Sequence, residues 1–223
     1  MIQLAVLDMG GTTIDEHGTV LASFREALET IGVTGSRLDV GVRTVVETMG
    51  QSKLEVLKMI AGDDEAGEKA NREFEMAMER RIASGEITAM PGALEAMGAL
   101  KEAGIGIAMT TGFAPATRDL ILETLGWSGI PDLVSSPSER LRGRPFPDMV
   151  LDAGITRGID DVRSVAVVGD TISDLMSGHH AGAGMIVGVL TGSHDRQLLE
   201  SAPHTHIIDS VADLLGILAV DPS

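Results

Sequence analysis

Short apolar runs alternate along this chain with segments of helical periodicity. Five runs have the length of a strand, at 4–7, 105–109, 133–134, 165–168 and 185–189. The helical segments lie at about 93–102, 114–125, 149–154, 172–181 and 211–218. Strands that are apolar on both faces and alternate with helices form parallel sheets covered on both sides. The sequence therefore predicts an α/β fold built on a parallel sheet.

The segment from about 15 to 84 breaks this alternation, and it contains no convincing strand. Its apolar side chains recur at helical spacing, in 24–31, 54–60 and 74–82. We interpret it as a helical insertion after the first strand, with hinges near 16–19 and 84–92. The predicted domains are a core of residues 1–14 and 88–223 and an insertion of residues 15–87.

The charge balance excludes some classes of partner. The chain has 17 Lys and Arg against 33 Asp and Glu, a formal net charge of −16. This field opposes binding to nucleic acid or to an anionic membrane. It also opposes a phosphate-bearing substrate unless a metal or a few basic residues concentrate positive charge at the site. We expect a small-molecule substrate, with no nucleic-acid and no membrane partner.

Three absences bear on where the protein resides. The chain has no cysteine, so disulfide and thiol chemistry are excluded. The N-terminus lacks the basic and apolar segments of a signal peptide. No apolar run reaches the roughly 18 residues of a membrane-spanning helix. We therefore expect a cytoplasmic protein.

Asp8 closes the first apolar run and opens a glycine-rich loop, Asp-Met-Gly-Gly-Thr-Thr at 8–13. A carboxylate can attack phosphorus in line if the phosphoryl charge is neutralised, and backbone N–H groups of 9–12 can form part of an anion cradle. Gly10 stands where a second carboxylate could protonate a leaving oxygen, so the loop lacks that acid. An ordinary turn at a strand end also uses Asp and Gly, so the loop alone leaves both interpretations open.

Asp170 and Asp174 follow the apolar run 165–168 and open the next helix. Two acids at this spacing can face one pocket and hold a hard cation, and Mg²⁺ prefers such oxygen ligands. Alternatively, both are acids favoured at a helix N-terminus by capping and by the dipole. The presence of Asp8 at another strand end favours the metal site.

Two further loops at strand ends can bind a phosphoryl group. The stretch 110–112 offers hydroxyls and the N–H groups that open the next helix, although Thr-Gly turns are common. Arg144, in the Gly-Arg-Pro-Phe-Pro loop at 143–147, offers an always-charged donor. A solvated basic patch shared with Arg140 and Arg142 is the alternative, and we favour phosphoryl binding for Arg144 alone.

Lys53 begins a helix of the insertion, where lysine is most often exposed to solvent. Its amine could instead condense with a substrate carbonyl if its pKa falls enough to yield the neutral form. The cationic imine withdraws electrons. A C–P bond beta to the imine nitrogen can then break without a proton donor, which would compensate for the acid missing at Gly10.

Four motifs occur together in order: the loop at 8–13, Met-Gly-x-x-Lys at 49–53, Gly-Arg-Pro-x-Pro at 143–147 and Gly-Asp-Thr-x-Ser-Asp at 169–174. In this combination the chain resembles the haloacid dehalogenase superfamily, and within it the phosphonatase (phosphonoacetaldehyde hydrolase) branch. Typical phosphatases of the superfamily carry Asp-x-Asp in the first motif. The phosphonatase branch has a small residue at the second position, as this chain does.

The resemblance implies a Rossmann-like three-layer core with an inserted α-helical cap. It implies that Asp8 is the nucleophile and that Asp8, the Gly10 carbonyl and Asp170 hold Mg²⁺, with Asp174 in or near its outer shell. Lys53 would form the Schiff base. A homodimer through the cap is a further implication.

The resemblance also implies a phosphoryl and substrate site. Thr111 and Arg144 would act on the phosphoryl group, and Met49 would line the cap side. The full predicted substrate-binding set is Gly10, Gly11, Thr12, Met49, Gly50, Thr110, Gly112 and Arg144.

Three departures from the branch affect the predicted substrate. Gly10 stands where the branch usually has alanine, Val56 stands where it has a histidine that assists proton transfers, and the cap is shorter. The predicted function is therefore Mg²⁺-dependent cleavage of the C–P bond in phosphonoacetaldehyde or a related 2-oxoalkylphosphonate. The alternatives are a phosphatase for a small phosphorylated metabolite and a non-catalytic binding descendant. The histidines are expected to be non-catalytic, with His194, His204 and His206 in loops.

Overall fold

The computed structural model describes residues 1–218 and contains one six-stranded sheet and one two-stranded sheet. In chain order the strands are β1 (Leu4–Asp8), β2 (Ile14–Asp15), β3 (Thr88–Ala89), β4 (Gly106–Thr110), β5 (Leu133–Ser135), β6 (Val165–Gly169), β7 (Met185–Val189) and β8 (His206–Ile208). The large sheet has the order β5-β4-β1-β6-β7-β8, and every neighbouring pair is parallel. The predicted α/β fold class is confirmed. Residues 219–223, assigned above to the core, lie outside the described residues.

Helices cover both faces of the large sheet and form the inserted segment. They are α1 (Thr19–Thr30), α2 (Ser36–Glu47), α3 (Lys53–Ala61), α4 (Asp64–Ala83), α5 (Ala93–Glu102), α6 (Pro115–Thr124), α7 (Asp148–Thr156), α8 (Ile172–Ala181), α9 (Arg196–Glu200) and α10 (Leu214–Leu218). Among residues 1–218, no helix combines the length and the apolar content needed to cross a membrane.

The alternation of side chains along β1 explains the layers. Leu4 and Val6 belong to a buried cluster with Val150 of α7, whereas Ala5 and Leu7 belong to a second cluster with Met97 of α5. Successive side chains of a strand point to opposite faces, so a wholly apolar strand needs cover on both sides. This requirement places β1 at the centre of the sheet, between β4 and β6.

Helices α1 to α4 lie between β2 and β3 and form the cap. Phe24 of α1 and Phe74 of α4 are fully buried, and their ring centroids are 4.6 Å apart. The antiparallel strands β2 and β3 close the base of the cap. The segment from about 15 to 84, which was expected to contain no strand, overlaps a strand only at Asp15, the last residue of β2, which pairs with Thr88.

The sequence patterns miss α2, α9 and β8, because each of these elements buries few side chains. In α2 only Leu38, Gly41 and Val45 are buried. Strand β8 has three residues, all half-buried, at the edge of the sheet. The loop position expected for His206 is wrong, since His206 begins β8. The predicted helix 211–218 is divided into a 3-10 helix, Val211–Asp213, and α10.

Candidate active site

The loop after β1 is a tight turn that presents Asp8 at the edge of the sheet. The N–H groups of Thr13 and Ile14 both donate to the carbonyl of Met9, at 2.9 Å. The Thr13 hydroxyl donates to the backbone carbonyl of Asp8 at 2.8 Å. Gly11 has a φ of +74°, and a Cβ there would lie 2.5 Å from Oδ2 of Asp170. The glycine therefore lets the loop approach the neighbouring strand end closely.

Three buried carboxylates meet at the ends of β1 and β6. Oxygen atoms of Asp8, Asp170 and Asp174 all lie within 4.8 Å of one another. The Ser193 N–H donates to Oδ2 of Asp170 at 2.6 Å. Thr171 and Asp174 form a capping box that opens α8. The helix terminus and the strand ends thus hold the three groups in place.

The electrostatics of this cluster favour a cation. Burial raises the pKa of Asp8 well above its ordinary value; the charge of Arg144 opposes the shift and that of Asp174 adds to it. Burial, reinforced by the charge of Asp174, raises the pKa of Asp170 to about 7. Several buried carboxylates of like charge repel one another unless positive charge lies among them. The donor set is all oxygen, so it fits Mg²⁺.

Arg144 supplies part of the positive charge. Its buried guanidinium donates through one nitrogen to both Asp8 and Asp174. Its Nε is buried and has no hydrogen-bond partner among residues 1–218. A buried N–H without a partner is costly, and an oxygen of a bound anion would satisfy it. This orphan donor supports the phosphoryl-binding role expected for Arg144.

Lys53 is buried at the start of α3, not exposed as most helical lysines are. Its Nζ lies 5.9 Å from the ring centroid of Phe24 and 5.2 Å from that of Phe113. Burial lowers the pKa of Lys53, and the charge of Arg144 adds to this effect, while Glu16 opposes it. The free amine is therefore more accessible here than in water.

Two glycines allow the cap to rest directly on the core beside Lys53. The Lys53 N–H donates to the Gly112 carbonyl at 3.2 Å. A Cβ on Gly112 would lie 2.2 Å from the Gln51 carbonyl oxygen, and a Cβ on Gly50 would lie 2.5 Å from the Thr171 hydroxyl. Larger residues at either position would push the cap away from the carboxylates.

Cap and core enclose a small cavity of about 20 Å³. The predicted site residues that line it are Asp8, Gly10, Met49, Gly50, Lys53, Thr111, Gly112, Arg144 and Asp170. Among the described residues, the predicted site residues outside this lining are Gly11, Thr12, Thr110 and Asp174. Asp174 contacts the site through Arg144, and Gly11 lies against Asp170. The structure thus brings a buried carboxylate, a buried amine and a guanidinium whose Nε has no partner among the described residues into one space.

Comparison with known proteins identifies the family of this fold and site. The family model of haloacid dehalogenase-like hydrolases matches residues 2–182. The chain belongs to the haloacid dehalogenase-like hydrolases.

The relatives of this hydrolase carry two kinds of name. It is 25% identical to a phosphonoacetaldehyde hydrolase of Pseudomonas putida, with 98% of this chain and 92% of that protein covered. It is 26% identical to a probable phosphatase, IndB, of Dickeya dadantii, with 97% and 93% covered. A solved hydrolase from Pseudomonas syringae is 25% identical, with a TM-score of 0.85 and with 99% and 100% of the two chains covered.

Glu16 is the ionisable residue of this cavity lining that sequence reasoning missed. It lines the same cavity, and a Cβ on Gly10 would lie 1.7 Å from Oε1 of Glu16. Burial raises the pKa of Glu16 to about 7, although the charge of Lys53 opposes the shift. The expectation that no acid lies next to the first motif is therefore wrong. The carboxyl group of Glu16 occupies the space that a side chain at position 10 would fill.

No local signal in the sequence identifies Glu16. It follows the two-residue strand β2 in a segment interpreted as a hinge, and acids in hinges are usually solvated. The relevant feature is that Gly10 has no side chain and leaves room for the carboxyl group of Glu16, and this is apparent only in the folded chain. His194 is buried, and its Nδ1 accepts from the Ile172 N–H at 3.0 Å, which is consistent with a structural, non-catalytic histidine.

Proposed function

We propose that this hydrolase cleaves the C–P bond of phosphonoacetaldehyde or of a related 2-oxoalkylphosphonate. The observation that carries the proposal is the burial of Lys53 in the same cavity as Asp8 and Arg144. A buried amine of lowered pKa next to a carboxylate nucleophile suits imine chemistry on a substrate that also bears a phosphoryl group. The similarity to phosphonoacetaldehyde hydrolases over 98% of the chain supports it.

The first step forms the imine. The neutral amine of Lys53 attacks the carbonyl carbon, the carbonyl oxygen leaves as water, and a cationic imine remains. Phe24 and Phe113 flank the amine, which keeps bulk water from solvating it. Their ring faces also attract the cation that forms.

The second step transfers the phosphoryl group. Asp8 attacks phosphorus while the C–P bond breaks, and the bonding electron pair forms an enamine, which neutralises the imine. Arg144 donates hydrogen bonds to the phosphoryl oxygens. Water then hydrolyses the aspartyl-phosphate, the enamine carbon is protonated, and a second water releases the carbonyl product from Lys53. Since the first step released one water, one is consumed overall.

Mg²⁺ is the metal that we propose for the carboxylate cluster. Asp8, the Gly10 carbonyl and Asp170 would hold it, with Asp174 in or near the outer shell. When bound, the ion would neutralise charge on the phosphoryl oxygens. The raised pKa values of Asp8 and Asp170 support a cation at this position.

Borohydride trapping tests the proposal. We expect borohydride with phosphonoacetaldehyde to leave a reduced adduct on Lys53, located by peptide mass spectrometry, and we expect phosphate release without borohydride. Lys53→Arg keeps the charge but cannot form an imine, so it should lose both signals. An unmodified Lys53 in an enzyme that releases phosphate would refute the imine mechanism.

A phosphatase acting on a small phosphorylated metabolite is the second candidate, and Glu16 favours it. The carboxyl group of Glu16 lies beside Gly10, where phosphatases of the superfamily carry their second Asp. A general acid contributes about 10²–10⁴-fold to cleavage of an alkyl ester. If this candidate holds, Glu16→Gln should slow hydrolysis of sugar phosphates by that factor and of an aryl phosphate much less. Equal effects on both esters would contradict a leaving-group acid.

We also propose that the cap forms a homodimer interface. Val40 and Met59 are 53% and 60% exposed and line one surface groove of the cap. Contiguous exposed apolar side chains mark interaction sites. Light scattering of the wild type and of Met59→Glu tests this assembly. A monomeric wild type would exclude it.

A further inference from the structure

The small catalytic cavity shares part of its lining with a much larger cleft between cap and core. This outer cleft has a volume of about 660 Å³, against about 20 Å³ for the inner cavity. Lys53, Gly112, Phe113 and Arg144 line both spaces. The outer cleft therefore borders the inner cavity at the two residues that carry the amine and the phosphoryl-binding donor.

The walls of the outer cleft are mainly apolar. They include Leu54 from the cap and, from two core loops, Phe113, Pro115, Leu141 and Phe146. Phe146 is 46% exposed, and the guanidinium of Arg142 lies 4.2 Å from its ring centroid, so only part of the ring faces open space. A cleft of about 300–1,000 Å³ with apolar walls and few polar groups is typical of a small-molecule site.

The polar groups of the cleft do not favour a second anion. Glu55 and Glu139 lie in its lining and are exposed. Arg142 forms an ion pair with Asp148, to which it donates two side-chain hydrogen bonds of 2.9 and 2.7 Å. Lys53 and Arg144 are committed to the inner cavity. A carboxylate or second phosphate in the cleft would therefore lack a free cation among the described lining residues.

Phosphonoacetaldehyde would leave this cleft unused. With the phosphoryl group at Asp8 and the carbonyl carbon at Lys53, the remaining substituent of the carbonyl carbon points away from the carboxylates. In the aldehyde that substituent is a hydrogen atom. The space beyond Lys53 is instead suited to a carbon chain or ring.

We propose that the outer cleft binds the substituent on the carbonyl carbon, and that the preferred substrate is a ketone. It would be a 2-oxoalkylphosphonate whose carbonyl bears a neutral, mainly apolar group of several carbons. This inference rests on the proposed C–P cleavage, because the position of the substituent follows from the imine at Lys53. The apolar walls supply the binding energy, and Glu55 and Glu139 reject acidic substituents.

A ketone series tests the proposal, with phosphonoacetaldehyde as the reference for C–P cleavage. We compare kcat/KM for 2-oxopropylphosphonate, 2-oxohexylphosphonate and an analogue that ends in a carboxylate. Burial of each methylene is expected to raise kcat/KM about fourfold, so the hexyl ketone should exceed the propyl ketone by at least tenfold. The carboxylate analogue should fall below the hexyl ketone by a similar factor.

Variants of the cleft wall sharpen the test. Leu141→Trp should reduce the ratio of hexyl to propyl kcat/KM by tenfold or more, because the indole fills the cleft. Phe146→Ala removes a wall from an exposed position, so it should fold normally, and it should also lower the ratio. Leu94→Trp, at a 48% exposed position of α5 outside the cleft lining, is the matched control for Leu141→Trp and should leave the ratio unchanged.

The outcomes separate the two proposals. If phosphonoacetaldehyde is cleaved and traps Lys53, but the hexyl ketone gains nothing over the propyl ketone, the subsite is wrong and the proposed function stands. A wild-type gain that Phe146→Ala and Leu141→Trp leave intact also refutes the subsite. If no 2-oxoalkylphosphonate releases phosphate or traps Lys53, both proposals fail.

Discussion

The two walls of the catalytic cavity are built in different ways. On the core wall, Asp8 and Asp170 follow adjacent parallel strands, so the register of β1 and β6 brings them together. On the cap wall, Lys53 and Glu16 come from the inserted segment and its junction with the core. Their position depends on how closely the cap rests on the loop at Gly112. The core wall is thus a property of the sheet, whereas the cap wall exists only when cap and core are in contact.

Removal of Asp8, the proposed nucleophile, is the strongest test of the core wall. Asp8→Asn should lower phosphate release by about 10⁴-fold or more. Burial raises the pKa of the Asp8 carboxyl group. Its ionisation therefore destabilises the folded state at every pH above the pKa that Asp8 has in the unfolded chain. The melting temperature of Asp8→Asn in EDTA should therefore equal or exceed that of the wild type at pH 7. A large fall in melting temperature would mean that Asp8 is mainly a structural partner of Arg144.

The cap wall should respond to a substitution that alters none of the ionisable side chains of the site. Gly112→Ala puts a methyl group 2.2 Å from the Gln51 carbonyl oxygen, so the cap must shift outward with Lys53. A displacement of about 1 Å can cost about 100-fold in rate. Steady-state kinetics should show this loss, together with weaker borohydride trapping at Lys53.

Gly98→Ala is the matched control for Gly112→Ala. Gly98 lies within α5, and a Cβ there would meet no atom within 4 Å. Alanine in a helix interior is more stable than glycine by about 0.5–1 kcal/mol. This variant should be slightly more stable than the wild type and equally active. If both variants lose activity equally, cap contact at Gly112 is not the cause.

Metal binding should stabilise the core wall by a moderate amount. At a Mg²⁺ concentration 100 times its dissociation constant, binding contributes about 2.7 kcal/mol, which corresponds to about 5–10 °C in melting temperature for a chain of this size. Scanning calorimetry with Mg²⁺ and with EDTA measures the shift. Asp170→Asn should reduce it, and an unchanged shift in that variant would place the ion elsewhere.

The smallest predicted effect concerns the charges of the cap wall. The negative charge of Glu16 raises the pKa of Lys53, against the lowering caused by burial. Glu16→Gln removes that charge, so the pKa of Lys53 should fall further and the free amine should persist to lower pH. The pH profile of borohydride trapping should shift in the acidic direction, with a rate gain at fixed pH of at most about tenfold. A shift in the alkaline direction would show that Glu16 does not act on Lys53 through its charge.

The sequence predicts the core wall well because its determinants are local. The helix at 93–102, the helix at 172–181 and the strand at 185–189 coincide with α5, α8 and β7. Each of the carboxylates Asp8 and Asp170 follows a wholly buried run, and parallel strands bring such positions to one edge of the sheet. The cap wall has no such determinant. A lysine at a helix start is exposed in most proteins, and only the resemblance places Lys53 at the site.

Glu16 and the outer cleft lie beyond local reasoning. Glu16 reaches the cavity because Gly10 leaves room for it, and a distance across a fold cannot be read from spacing along the chain. The outer cleft is formed by the start of α3 and by two core loops that are far apart in sequence. Strand β8 was missed for a different reason, its short length. Its three half-buried residues carry too little pattern to be seen, although it completes the edge of the sheet.

The main-chain bond from the Lys53 N–H to the Gly112 carbonyl has a consequence for how this enzyme can diversify. The two lobes are joined next to the buried amine of Lys53 by backbone atoms, of which only the N–H is missing in one residue type, proline. Apart from Gly50 and Gly112, where a Cβ would clash, residues around the junction can therefore be exchanged, by mutation or by design, without moving the amine relative to the sheet. A library of variants at the mouth of the cleft could change substrate preference while the bond-breaking geometry stays constant.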